Sequence, residues 1–126
     1  MNARALWGVL PAIAAGLLVA QTAPPPPVLV GDDGSVIAAH QVVHRKNGET
    51  VRWGRQTAGQ TTWYVKFAQS PCREGPEFGH DRSTTCTISV ACNSAGDAAC
   101  KSYKYSSATA SNATMHDPEI VVDPSL

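Results

Sequence analysis

The chain has 126 residues, ten basic and ten acidic side chains and no net charge, with four cysteines and four histidines. That length allows one domain. The balanced charge, with no basic run, excludes the basic stripe a nucleic-acid partner requires and the polybasic cluster that holds a chain on a membrane.

The first segment reads as an export signal. MNARALWGVLPAIAAGLLVAQTA carries one early positive charge, Arg4, and then an uncharged run from Ala5 to Ala20. The run falls short of the roughly 20 apolar residues of a comfortable span and fits the apolar region of a secretory signal peptide over residues 1–23. Ala20 and Ala23 are the small residues after which cleavage is expected; an uncleaved N-terminal anchor is the alternative. Once the signal is gone, no stable membrane span is expected. Residues 24–27 are four prolines, an extended polyproline II linker. A proline-recognising partner is the less economical reading of that stretch. The domain proper is expected over 28–126, in the periplasm or outside the cell.

From Val28 onward the pattern has period two, which predicts strands. VLV is followed by the turn GDDG. SVIAAHQVVHRK then reads as one strand up to Asn47-Gly48, a hairpin signal. ETVRWGR follows, then the turn TAGQ and the strand TTWYVKF. A long polar loop spans Ser70 to Thr85. CTISVAC, KSYKYSS and EIVVD complete seven or eight short strands. The fold class expected is all-β: a two-layer antiparallel Greek-key sandwich.

An even number of cysteines in a small exported chain predicts two disulfides, and spacings without tight pairs disfavour zinc. Cys86 and Cys92 lie at opposite ends of one expected strand, about 20 Å apart, too far to bond. Two connectivities remain. If CTISVAC and KSYKYSS form a hairpin, Cys92 and Cys100 flank its turn and Cys72 is left for Cys86. That pairing is favoured over Cys72–Cys92 with Cys86–Cys100. No C-x-x-C spacing marks a redox pair.

Residues Gly48 to Asp123 resemble the cupredoxins, the small blue-copper β-sandwiches such as plastocyanin and pseudoazurin. GETVRW resembles the strand before the family's first ligand. WYVKF resembles its H-x-V-x-F motif, YKYSS its aromatic-x-aromatic-x-Cys strand, and EIVVD its closing strand. The resemblance implies a cupredoxin-like fold and assigns four ligand positions. The first histidine falls on Trp63, the cysteine on Ser107, the second histidine on Ala110 and the axial methionine on Met115. A blue-copper site takes two imidazoles and a thiolate, so the resemblance implies the frame of a copper site without its metal. DPEIVVDP is also similar to short bacterial cupredoxin-like proteins that lack obvious copper ligands.

Other candidates are weighed on their chemistry. His40 and His44 fall on one face of one expected strand, about 13 Å apart, too far to share an ion. His80, Met115 and His116 lie in loops that one end of a sandwich brings together, and imidazole suits copper; this is the alternative reading, an atypical copper or metal site. Exposed loop histidines are the plainer one. Glu74, Glu77 and Asp81 share the long loop with Arg73 and Arg82, and nothing rigid sets the fixed carboxylate separation that glycoside hydrolysis requires. Ser106 and Ser107 lack a nucleophile elbow. Trp53, Trp63 and Phe67 belong to the core; Tyr64 points the other way, and marks a partner or glycan surface if it clusters with other exposed aromatics. Asn112-Ala113-Thr114 matches the glycosylation triplet. The function expected is therefore a non-catalytic exported module with no cofactor. It is expected to bind a protein or small ligand through the loop Ser70–Thr85 or the loop Ser107–Pro118. A hydrolase is the least supported reading.

Overall fold

The computed structural model describes residues 25–109 and 117–125. Among the described residues the regular structure is almost entirely β. Its strands are β1 (Val28–Val30), β2 (Val42–Lys46), β3 (Thr50–Arg55), β4 (Tyr64–Phe67), β5 (Glu77–Gly79), β6 (Thr85–Thr87), β7 (Ser102–Ala108) and β8 (Glu119–Asp123), with one 3-10 turn over Ala38–His40. They form a three-stranded sheet, order β1-β3-β6, and a five-stranded sheet, order β2-β8-β7-β4-β5. The expected signal segment 1–23 and the loop 110–116 lie outside the described residues.

Both sheets are mixed, which corrects the purely antiparallel expectation. β1 runs parallel to β3, with Val28 opposite Trp53, and β2 runs parallel to β8, with Val42 opposite Glu119. Parallel neighbours need a crossover connection. β1 reaches β3 by way of β2 in the other sheet, and β2 reaches β8 only after the chain has built the rest of both sheets.

Asn47-Gly48 does not close a hairpin. It carries the chain from one sheet to the other, since β2 and β3 belong to different sheets. The backbone gives the reason. The Glu49 amide donates to the Lys46 carbonyl at 3.0 Å, so a tight turn does form. Gly48 has φ +89°, but among the described residues no non-glycine residue has positive φ. The hairpin turn signalled by Asn-Gly needs positive φ at both central residues, and turns without it splay the flanking strands. Here the splayed strands go to opposite layers.

Two other expected strands are interrupted. SVIAAHQVVHRK breaks into a bridge of Val36 to Val30, the 3-10 turn and β2. The His40 ring caps the break by accepting the Leu29 amide proton at Nδ1, 3.0 Å away. CTISVAC is strand only through Thr87; Ile88 then bridges Cys72. The anticipated hairpin of CTISVAC with KSYKYSS is absent, because β6 pairs with β3 and β7 lies between β4 and β8. The disulfides are nonetheless Cys72–Cys86 and Cys92–Cys100, with Cα separations of 5.1 and 4.9 Å. Cys92 and Cys100 meet across an irregular segment, where the Asp97 carboxylate accepts the amides of Asn93 and Ser94.

The core sits between the sheets. Trp53 of β3 is its centre. Its indole lies 5.0 Å from the ring of Phe78, 5.6 Å from Tyr105, 6.2 Å from Phe67 and 6.3 Å from Trp63. Edge-to-face and tilted pairs at these spacings are favourable beyond the area they bury. Its Nε1–H donates to the buried Tyr105 hydroxyl at 3.2 Å. Phe78 comes from within the stretch expected to be a solvated loop. There Glu77–Gly79 forms the edge strand β5, pairing Phe78 with Val65, and Phe78 is 1% exposed.

Two outcomes follow. Phe78→Ala should cost about 3–5 kcal/mol, the range for large aromatic truncations in a core, when read by urea unfolding; a solvated loop residue would cost under about 0.5 kcal/mol. Alkaline titration should also destabilise the fold. Burial raises the Tyr105 hydroxyl to about 12 from its ordinary 10, an effect partly offset by the Trp53 hydrogen bond. Below the unfolded value the stabilisation is fully present; as pH climbs from 10 to 12 the unfolded chain loses a proton the folded one retains. Stability should therefore fall through that window, by roughly 2–3 kcal/mol, and Tyr105→Phe should flatten the fall.

Candidate functional site

The two strongest ligand positions implied by the cupredoxin resemblance are brought together. β4 and β7 are antiparallel neighbours, with Tyr64 opposite Ala108 and Val65 opposite Ser107. Trp63, just before β4, and Ser107, near the end of β7, therefore share one end of the sandwich. Both are buried, at 3% and 1% exposure. Neither is available to a metal. The Trp63 indole packs on Trp53, and its carbonyl accepts the His80 amide at 3.3 Å. The Ser107 hydroxyl donates to the Gly34 carbonyl at 2.7 Å. Gly34 ends the GDDG turn with φ +89°, a conformation that glycine adopts without penalty. An indole and a hydrogen-bonded hydroxyl do not fit a type 1 copper ion, which takes imidazole and thiolate. Ala110, Met115 and His116 lie outside the described residues. Among the described residues no group of three or more His, Cys, Asp or Glu is placed to hold a metal.

The remaining histidines are separate. His40 and His44 do not share a strand: His40 belongs to the 3-10 turn and His44 to β2. His44 Nδ1 faces the Asp123 carboxylate at 3.0 Å, tying β2 to β8. With Pro25, Arg45, Gly48, Glu49 and Thr50 it lines an open cleft of ≈ 530 Å³. The Arg45 guanidinium spans the two sheets there, donating to the Thr50 and His44 carbonyls at 2.9 and 2.8 Å.

The loop carboxylates are taken up by structure. Glu74 accepts the Thr87 amide and hydroxyl, each at 2.7 Å. Partial burial works to raise its pKa, but these hydrogen bonds, with Arg73 nearby, hold it below the ordinary value. Glu77 pairs with Arg82, and Asp81 lies 3.8 Å from the same guanidinium. Glu77 and Asp81 thus share one guanidinium, while Glu74 is engaged by Thr87.

What the described surface does present is Tyr64 with His80. Tyr64 is 36% exposed, and the His80 ring meets it edge-on at 5.3 Å and 75°. Gly79, directly across from Tyr64, has no side chain; a Cβ there would lie 3.3 Å from Tyr64 Cδ1. The ring thus leans over bare backbone. Beyond this pair, charges on the outer face of the five-stranded sheet oppose one another in register: Lys66 with Glu77, Lys104 with Glu119, Lys46 with Asp123. Cross-strand pairs of this kind neutralise a face.

Comparisons of the chain with protein-family models, with curated proteins and with solved structures return no match.

Proposed function

We propose that the protein is an exported, non-catalytic module with a cupredoxin-like Greek-key sandwich, that it carries no blue copper, and that it binds a protein or small ligand at the end of the sandwich where Trp63, Tyr64, His80 and Ser107 lie. The observation that carries this reading is the occupancy of the two principal ligand positions by a buried indole and a hydrogen-bonded hydroxyl. It is supported by the exposed Tyr64–His80 pair, which joins the start of β4 to the loop following β5. Aromatic rings exposed at loops on a rigid scaffold are common contact points. Export is supported by the two disulfides, which persist in oxidising compartments. Among the described residues no helix is long and apolar enough to cross a membrane. The alternative, an atypical copper site of His80, Met115 and His116, has one described member, and the ring of that member packs against Tyr64.

Site-directed photocrosslinking tests the proposal. A photoreactive phenylalanine replacing Tyr64 should yield a discrete adduct in cells making the protein, while the same group replacing Lys46, at the other end of the outer face, should yield none. Absence of an adduct at both positions, or equal labelling at both, would contradict a binding surface at this end.

A further inference from the structure

Arg55 closes β3, and its side chain is only 7% exposed although it is charged at any physiological pH. A buried cation ordinarily satisfies its donors. Nη1 of Arg55 donates to the Thr62 carbonyl at 2.6 Å, and Nη2 to the Asp32 carboxylate at 2.8 Å. Nε is buried and has no hydrogen-bond partner among the described residues. Nε and Nη2 form the edge of the guanidinium fork that a carboxylate grips with two parallel hydrogen bonds. Asp32 meets that edge through Oδ1 at Nη2, and the same oxygen also accepts the Thr57 hydroxyl at 2.9 Å. Asp32 is itself 72% exposed. The two ends of this ion pair thus differ sharply. The cation is buried with its Nε unpartnered, and the anion is mostly exposed, where such a pair contributes little.

We propose that Arg55 is a receptor for a carboxylate carried by the binding partner, and that Asp32 is an intramolecular stand-in which swings out when the partner's carboxylate takes Nε and Nη2 together. The proposal deepens the partner-binding reading above, on which it rests for its biological setting. It names the group the partner brings, an acidic side chain or a chain terminus. A monoanion fits better than a phosphate dianion, because Asp33 is next to Asp32 on the same turn, where it accepts the Ser35 amide and hydroxyl at 3.0 and 2.7 Å. Thr57 and Thr62 lie beside the guanidinium and report on its occupancy.

The test uses the oxidised, isotope-labelled protein, with sodium acetate as the probe and sodium chloride at equal ionic strength as the control. The Arg55 Nε–H resonance is followed in the wild type and in Asp32→Asn. Acetate should shift it saturably, at least tenfold more tightly in Asp32→Asn than in the wild type, and chloride should not. In Arg55→Lys, which keeps the charge and loses the fork, the acetate response at Thr57 and Thr62 should vanish. A folded Asp32→Asn protein that responds to acetate no more than to chloride overturns the receptor. Equal acetate affinity in wild type and Asp32→Asn overturns the stand-in role of Asp32. Should Arg55→Lys fail to fold, the Asp32→Asn comparison decides alone. Failure here is distinguishable from failure of the partner-binding reading, which is read from adducts at position 64.

Discussion

The Trp53 indole is the contact on which the two sheets depend. It projects from the three-stranded sheet into rings contributed by β4, β5 and β7 of the other, and it is the donor to the buried Tyr105 hydroxyl. An indole placed at the centre of a core demands a partner for its N–H, since a buried donor left unpaired is costly. Tyr105 meets that demand, and so sets the position of β7 against β3. With β7 fixed, its pairings to β4 and β8 place the ends of those strands, and with them Trp63, Ser107 and the surface at Tyr64.

A small sandwich of short strands has little area per layer, so the connections between layers matter as much as the sheets. The disulfides act there. Cys72–Cys86 fastens the segment after β4 to β6 of the opposite sheet, and Cys92–Cys100 closes the crossing from β6 to β7. Closing loops of 14 and 8 residues restrains the unfolded chain by about 3 and 2.5 kcal/mol in the chain-entropy account. The crossing from β2 to β3 is held without a covalent bond, in the folded state alone, by the turn at Gly48 and by Arg45 on the Thr50 and His44 carbonyls.

Much of this was legible from alternation alone. Trp53, Trp63 and Phe67 fall in the core because their neighbours Arg52, Tyr64 and Lys66 are the ones that point outward. Alternation is local, however, and could not say which strands lie in which sheet. Asn47-Gly48 looks like a hairpin whether its asparagine has positive or negative φ, and only the second case sends the strands to different layers. Phe78 was hidden because three residues between Pro76 and His80 are too few to show a period. The disulfide pairing emerged from an assumed hairpin that does not form; proximity of Cys92 and Cys100 comes instead from the turns around Asp97. Arg55 carried no signal at all, since a basic residue at a strand end is ordinary until its neighbours bury it.

At the end of β4 and β7, the positions that the cupredoxin resemblance assigns to imidazole and thiolate hold an indole packed on Trp53 and a hydroxyl bound to Gly34. On the function proposed above, an end filled in this way would serve recognition rather than electron transfer. Titration of the oxidised protein with Cu(II), by calorimetry together with a visible spectrum, tests this most directly. The account predicts no thiolate-to-copper absorption and no binding tighter than a free histidine peptide shows. One equivalent bound tightly, and lost on replacing His116, would contradict it.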